Sequence, residues 1–367
     1  MTPEVLARSL TRWFQKSRRD LPWRAVDPST GQRKPYHALV SEFMLQQTQV
    51  ARVLEFFPVF LQRFPTVESL AQARDEHVLA AWAGLGYYRR ARLLHAAART
   101  IVGEFSGRIP DDPETLRQLP GVGAYTAGAM ASIVFGARVP AVDGNVVRVL
   151  LRVHGRAGAA DDPRSLRFVH ARASELVAVA RHPGVVNEGL MELGATVCTP
   201  ANPRCGACPW AAGCIARRDE RTRDIPRPKR SPRVTGLVLR CAVVTDARGR
   251  VLLERAPAGA LWAGLWRLPT AEMTPRRLAA ALGLAGVSLR RAGRARATLS
   301  HRQVELRLWR GHAANPTACR AEDRRWFDLA ALRRAGVSSA HRQALAGLLD
   351  AEPKKRPRRA PGPRSRQ

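Results

Sequence analysis

The sequence predicts a multidomain chain: a mostly α-helical domain built around a helix–hairpin–helix, residues 1–216, followed by a smaller α+β domain, residues 235–350. Three observations carry this reading. Apolar side chains recur at helical spacing in segments such as 87-YYRRARLLHAAARTIVGEF-105, through Ala91, Leu94, Ala98 and Ile101. The stretch 217-RRDERTRDIPRPKRSPRV-234 loses that periodicity and reads as an exposed, charged linker. After it come strand-like runs at 236-GLVLRCAVVTD-246, 250-RVLLERA-256 and 303-QVELRLWRG-311.

Residues 1–20 read as an amphipathic helix and not as a signal peptide, having no unbroken apolar region and no small-residue cleavage site. No window approaches the roughly 18 apolar residues that span a bilayer. The expectation is a cytoplasmic, nucleoid-associated bacterial monomer with no membrane partner. Thr66 caps a helix through Leu70, and Asp112 and Asp162, each followed by proline, cap two more. Ser41 reads as the cap of 41-SEFMLQQTQV-50, which sets Glu42 in a first helical turn. Residues 113–119, the turn 120-PGVG-123 and a helix to about residue 135 form the helix–hairpin–helix. The run 145-NVVRVLLRV-153 is helical as well. In the second domain 246-DARG-249 closes a hairpin, and helices fall near 275–284 and 340–350. The tail, 351–367, is too charged to fold alone.

The formal charge is +31, carried almost wholly by arginine; Lys16, Lys34, Lys229, Lys354 and Lys355 are the only lysines. Heavy arginine and alanine usage follows from a GC-rich genome and discounts the figure. An excess this large still favours a polyanionic partner, nucleic acid first. Four of the six cysteines, Cys198, Cys205, Cys208 and Cys214, crowd into 198–214, which points to metal or cluster ligation over disulfides. Spacing alone leaves zinc and an iron–sulfur cluster open. Cys241 and Cys319 read as core thiols.

Gly121 and Gly123 stand at a helix entrance, where unpaired N–H groups and the helix dipole favour an anion such as a DNA phosphate. Glu42 and Asp143 are the two acids of interest. Each has a bland reading: Glu42 as a first-turn carboxylate on the dipole, Asp143 as an N-cap.

Taken together, the motifs resemble the adenine DNA glycosylases of the MutY type, within the endonuclease III-like superfamily. The resemblance rests on LPWR at 21–24, SEFMLQQTQV at 41–50, GLGYYRRARLLH at 84–95, LPGVGAYTAGA at 119–129, VDGNVVRV at 142–149 and the cysteines of 198–214. It implies a 4Fe–4S cluster on Cys198, Cys205, Cys208 and Cys214. It implies removal of adenine mispaired with 8-oxoguanine or guanine in double-stranded DNA, with the base taken out of the stack. Glu42 matches the general acid, Asp143 the carboxylate facing the sugar cation, and Asn145 and Tyr125 the residues that orient them. Strand-cleaving relatives carry lysine where Tyr125 stands; a phenol cannot form a Schiff base, so base release without strong lyase activity is expected. Trp23, Arg24, Leu45 and Glu188 match the adenine pocket. Gln47, Thr48 and Tyr87 match the DNA-contacting set around the orphan base, and Gly121 and Gly123 the phosphate-gripping hairpin. Residues 235–350 resemble a Nudix-like lesion-recognition domain, best at 261-LWAGLWRLP-269. The following stretch, 270–284, lacks the glutamates that would hold magnesium. The family's Phe-Ser-His reader is Leu299-Ser300-His301 here, with Ser300 and His301 set to read the oxidised guanine. The alternatives are a glycosylase for another mispair, such as thymine opposite guanine, and a non-catalytic, cluster-bearing DNA sensor.

Overall fold

A computed structural model describes residues 1–227, 234–271, 275–284, 286–299, 302–316 and 321–349. The chain divides into two compact units, Met1–Ser231 and Pro232–Gln367.

The first unit is helical. Its sequence-signalled caps are in place: the side chains of Thr66, Asp112 and Asp162 accept from Ser69, Thr115 and Ser165 amides. The helix Gly144–Val153 is buried on most of its surface, and packs with Leu10, Val169, Leu190 and Trp210. A second set of buried side chains, Phe43, Phe57, Phe60, Trp82 and Leu94, fills the space around the helices Pro35–Leu45, Val50–Arg63 and Arg89–Phe105. The hairpin turn 120–123 joins the short helix Pro113–Leu116 to Ala124–Ile133.

Two expectations change. Ser41 is not a cap: the helix starts at Pro35 and runs to Leu45, and Ser41 Oγ donates back to the Ala38 carbonyl at 2.8 Å. Proline at the first helical position starts the helix two turns earlier than the serine signal. Glu42 therefore lies in the last turn, where the dipole disfavours a carboxylate. Residues 217–227 are not an exposed linker throughout. The helix Ile215–Arg218 continues past the last cysteine, Ile225 is fully buried, and Arg152 Nε donates to the Ile225 carbonyl at 2.7 Å. One apolar side chain in a charged stretch is enough to tie it down. Residues 228–233 lie outside the described residues.

The second unit holds strands β1 (Thr235–Asp246), β2 (Val251–Arg255), β3 (Trp266–Arg267), β4 (Thr270–Ala271), β5 (Arg290–Leu299), β6 (Arg302–Ala313) and β7 (Arg324–Phe327). Their order is β3-β2-β1-β6-β5, with β4 on β1 and β7 on β2. The central pair, β1 and β6, is parallel from Thr235↔Arg302 to Asp246↔Ala313. Being covered on both faces, β1 reads as the continuous apolar run CAVV rather than an alternation. Cys241 and Val243 face one core with Leu306; Ala242 and Val244 face the other with Trp309 and Leu278 of the helix Pro275–Ala281. Cys241 is a core thiol, as expected; Cys319 lies outside the described residues. Strand β5, 290-RRAGRARATL-299, carries no strand propensity that sequence reading could use. It pairs antiparallel with β6 and turns Ala292, Ala295, Ala297 and Leu299 onto the core.

Candidate active site

A cavity of about 690 Å³ opens in the first unit, the size of a small-molecule site. Trp23, Arg24, Glu42, Leu45, Gln47, Thr48, Tyr125, Asp143, Asn145 and Glu188 all line it, brought together from five helices and the turn after Leu45. Asp143 is the N-cap of Gly144–Val153. Its Oδ1 accepts from the Val146 amide at 2.8 Å and its Oδ2 from Asn145 Nδ2 at 2.8 Å. Burial pushes the Asp143 carboxyl up, while those donors and the Arg148 charge pull it back.

Glu42 has less support: its Oε2 is sealed from solvent with no hydrogen-bond partner. Burial pushes its pKa up to about 7; Asp143 and Glu188 add to the rise, and the Tyr125 hydroxyl facing the carboxyl offsets part of it. The two acids thus sit in unequal environments, one ready to donate a proton and one held by donors. The bland N-cap reading of Asp143 holds together with its place in the cavity, because only one edge of each carboxylate oxygen is used.

Along the opposite wall runs a chain of charges. Glu188 accepts from Arg24 Nε at 3.0 Å and from Arg33 Nη2 at 2.8 Å. Glu192, one turn further along the helix Pro183–Thr196, accepts from Arg19 Nε at 2.7 Å and Arg24 Nη2 at 3.0 Å. Trp23 packs edge-on against Phe57 at 5.5 Å. Arg148 joins Asn145 to the cysteine loop: Nη2 donates to Asn145 Oδ1 at 2.7 Å and Nε to the Cys198 carbonyl at 2.7 Å.

Gln47 and Tyr87 both take the left-handed backbone conformation, φ +54° and +48°, which a non-glycine residue adopts only under constraint. Tyr87 is 45% exposed, outside the cavity lining. Arg90 connects the two. Its guanidinium lies 5.4 Å from the Tyr87 ring centre and donates to the carbonyls of Phe43, Met44 and Gln46 and to Thr48. Gly121 and Gly123 lie away from the cavity, exposed in the hairpin. They differ: Gly121, at φ +81°, would place a Cβ 2.7 Å from Leu93 Cβ, whereas Gly123 is the N-cap of Ala124–Ile133 with open space around it. Fold requires the first glycine; the second keeps the helix N-terminus uncovered. Ser300 and His301 lie outside the described residues, and Leu299 ends β5 against the core.

Cys198, Cys205, Cys208 and Cys214 line one small cavity, with Val149, Leu193, Val197 and Arg152. All four are free thiols. Burial pushes the Cys208 thiol up to about 11, and its three neighbours add to the rise. Among the described residues no three metal-binding side chains meet at the spacing of a single ion.

Residues 40–169 match the family model described as HhH-GPD superfamily base excision DNA repair protein, and 240–347 match a NUDIX domain. An adenine DNA glycosylase of Mycolicibacterium smegmatis is 43% identical over 260 residues, covering 68% of this chain and 86% of that protein. The chain belongs to the adenine DNA glycosylase family. The human adenine DNA glycosylase is 50% identical over 215 residues, 57% of this chain; that match spans only 39% of the human protein's length. The solved structure of a thermostable thymine-DNA glycosylase superposes with a TM-score of 0.52 at 26% identity, over 59% of this chain and 97% of that one.

Within this family member, sequence reasoning missed Arg19, Arg33, Arg90, Arg148, Met191 and Glu192. Glu192 had a signal, lying one helical turn after Glu188; the arginines had none, drowned in an arginine-rich composition. One prediction concerns the helix contact under Asn145. A Cβ on Gly194 would lie 2.5 Å from Asn145 Cβ. Gly194→Ala is therefore expected to cost roughly 1–3 kcal/mol by overpacking and to slow base release by shifting Asn145 off Asp143. Urea melts and single-turnover rates check it; unchanged values in both would refute the close contact.

Proposed function

We propose that the chain removes adenine paired with 8-oxoguanine or guanine in duplex DNA, hydrolysing the N-glycosidic bond and leaving the strand intact. The observation that carries this is the pairing of a Glu42 whose proton is held by burial with a donor-held Asp143 on one cavity. The flipped adenine would enter between Leu45, Trp23 and the Arg24–Glu188 pair. Glu42 gives its proton to adenine N7, the C1′–N9 bond breaks with its electron pair leaving on the base, and Asp143 faces the sugar cation. Water then adds to C1′, and its proton returns to the Glu42 carboxylate. Tyr125 and Asn145 orient the pair.

We infer that the four cysteines hold a 4Fe–4S cluster. Four cysteines around one small cavity fit such a group, and Arg152 supplies a cation beside Cys198. When bound, the cluster cross-links the loop 198–214. DNA contacts would include Gln47, Thr48, Tyr87 and the hairpin glycines, with Ser300 and His301 reading the oxidised guanine.

The test incubates the protein with duplexes bearing adenine opposite 8-oxoguanine, adenine opposite guanine, and thymine opposite guanine, with and without alkali. Adenine release that shows as strand breaks only after alkali is expected. Thymine release, or no release from any duplex, would overturn the reading.

A further inference from the structure

We propose that Met191 is a positioning residue for base removal: its sulfur competes with the Glu42 carboxyl for the Tyr125 hydroxyl and yields it when that carboxyl ionises. This rests on the proposed role of Glu42 as the acid.

Tyr125, near the start of Ala124–Ile133, and Met191, on Pro183–Thr196, meet across the cavity. The Tyr125 hydroxyl donates to Met191 Sδ at 3.1 Å. The same hydroxyl is a hydrogen-bonding neighbour of the Glu42 carboxyl, whose Oε2 is sealed from solvent and has no partner. All three side chains line the one cavity. The hydroxyl thus has two acceptors in reach, the Met191 sulfur and the Glu42 carboxyl, and the thioether is the weaker of them.

The chemistry explains why that arrangement is useful. A protonated carboxyl carries its own hydrogen and has little need of a donor. A carboxylate in the same water-poor place needs one, because an unpaired buried charge is costly. When Glu42 passes its proton to the base, rotation about the tyrosine Cζ–Oη bond re-aims the hydroxyl from sulfur to carboxylate without moving a heavy atom. The weak acceptor gives it up readily. Before that moment, the tyrosine contact is the influence that would pull the Glu42 pKa down, and the sulfur competes with it. The other groups around Glu42 are Asp143 on the helix Gly144–Val153 and Glu188 on Pro183–Thr196; both oppose ionisation. Arg19, Arg24, Arg33 and Glu192 complete the charged lining and are engaged with Glu188 and with one another.

The experiment measures single-turnover adenine release against pH for wild type, Met191→Leu and Met191→Ile, two apolar replacements that guard against a packing defect peculiar to one. Without the sulfur, the hydroxyl turns to Glu42 permanently and favours its ionised form. The alkaline limb of the profile is expected to move down by roughly one unit, the shift a hydrogen bond to an ionised carboxylate supplies. In a Tyr125→Phe background the same replacements should move nothing. Superimposable profiles, or a shift that persists without the tyrosine hydroxyl, would overturn the proposal. A wild-type protein that releases no adenine fails the functional reading instead, so the two failures are distinct.

Discussion

Glu42→Gln abolishes adenine release and leaves binding to the mispaired duplex nearly intact: this is the expected result. The glutamine amide fills the same space but has no acid proton to give. Glu42 sits in the last turn of its helix, against the negative end of the dipole, with one oxygen buried and unpartnered. Each feature favours the protonated form, and burial, with the charges of Asp143 and Glu188, raises the pKa to about 7. General acid–base catalysis of this kind is worth ~10²–10⁴-fold, which sets the expected loss. Because the acid must be protonated, the wild-type single-turnover rate should fall as pH rises through about 7. A variant rate within roughly tenfold of wild type, below the usual worth of such a group, would remove Glu42 from the chemistry. The same group makes a stability prediction of opposite sign. Its folded pKa lies above the unfolded one, so the folded state binds more protons between them. Stability is full below about 4.5 and is lost as pH rises through about 7. Glu42→Gln should therefore be more stable than wild type at pH about 8, on the order of 2 kcal/mol, and nearly equal at pH about 5. Urea melts at the two pH values decide it; an equal difference at both would mean Glu42 is not titrating.

Arg152→Ala is expected to cost on the order of 3 kcal/mol or more and to strip iron from the purified protein. Arg152 is 2% exposed. Its guanidinium donates to the carbonyls of Ile225 at 2.7 Å, Thr199 at 2.7 Å and Pro200 at 2.8 Å, and its Nη1 lies 3.4 Å from Cys198 Sγ. Truncation orphans the buried Ile225 carbonyl, which costs roughly 1–3 kcal/mol, and removes charge-assisted bonds to the less buried Thr199 and Pro200 carbonyls. It also removes a cation that lines the cysteine cavity. Arg152→Lys should not rescue, because a single ammonium cannot span carbonyls on both sides of a planar fork. Thermal melts with parallel iron and sulfide determination test this. Wild-type iron content in Arg152→Ala would show that the loop 198–214 is held by other contacts.

Legibility followed the range of the interaction. The N-caps at Thr66, Asp112 and Asp162 were readable because a cap acts within three residues of itself. The Glu42 helix was misread on local grounds, since Ser41 and Pro35 both signal a start and only packing decides which wins. Strand β5 was invisible because its ten residues gain their conformation from β6, not from propensity.

By itself the sequence determined the chemical inventory: two acids, a tyrosine in place of lysine, four crowded cysteines, and motifs specific enough to carry a family resemblance. These are matters of residue identity at fixed spacing. Tertiary structure decided everything that depends on what surrounds a side chain. It set Glu42 at a helix end with one oxygen unpartnered and Asp143 among donors, so that two carboxyls of nearly equal intrinsic acidity meet unequal surroundings. It tied Arg19, Arg24 and Arg33 to Glu188 and Glu192 across more than 150 residues of chain. It placed Met191 against Tyr125. Desolvation and electrostatic coupling act through space, and separation along the chain carries no record of them.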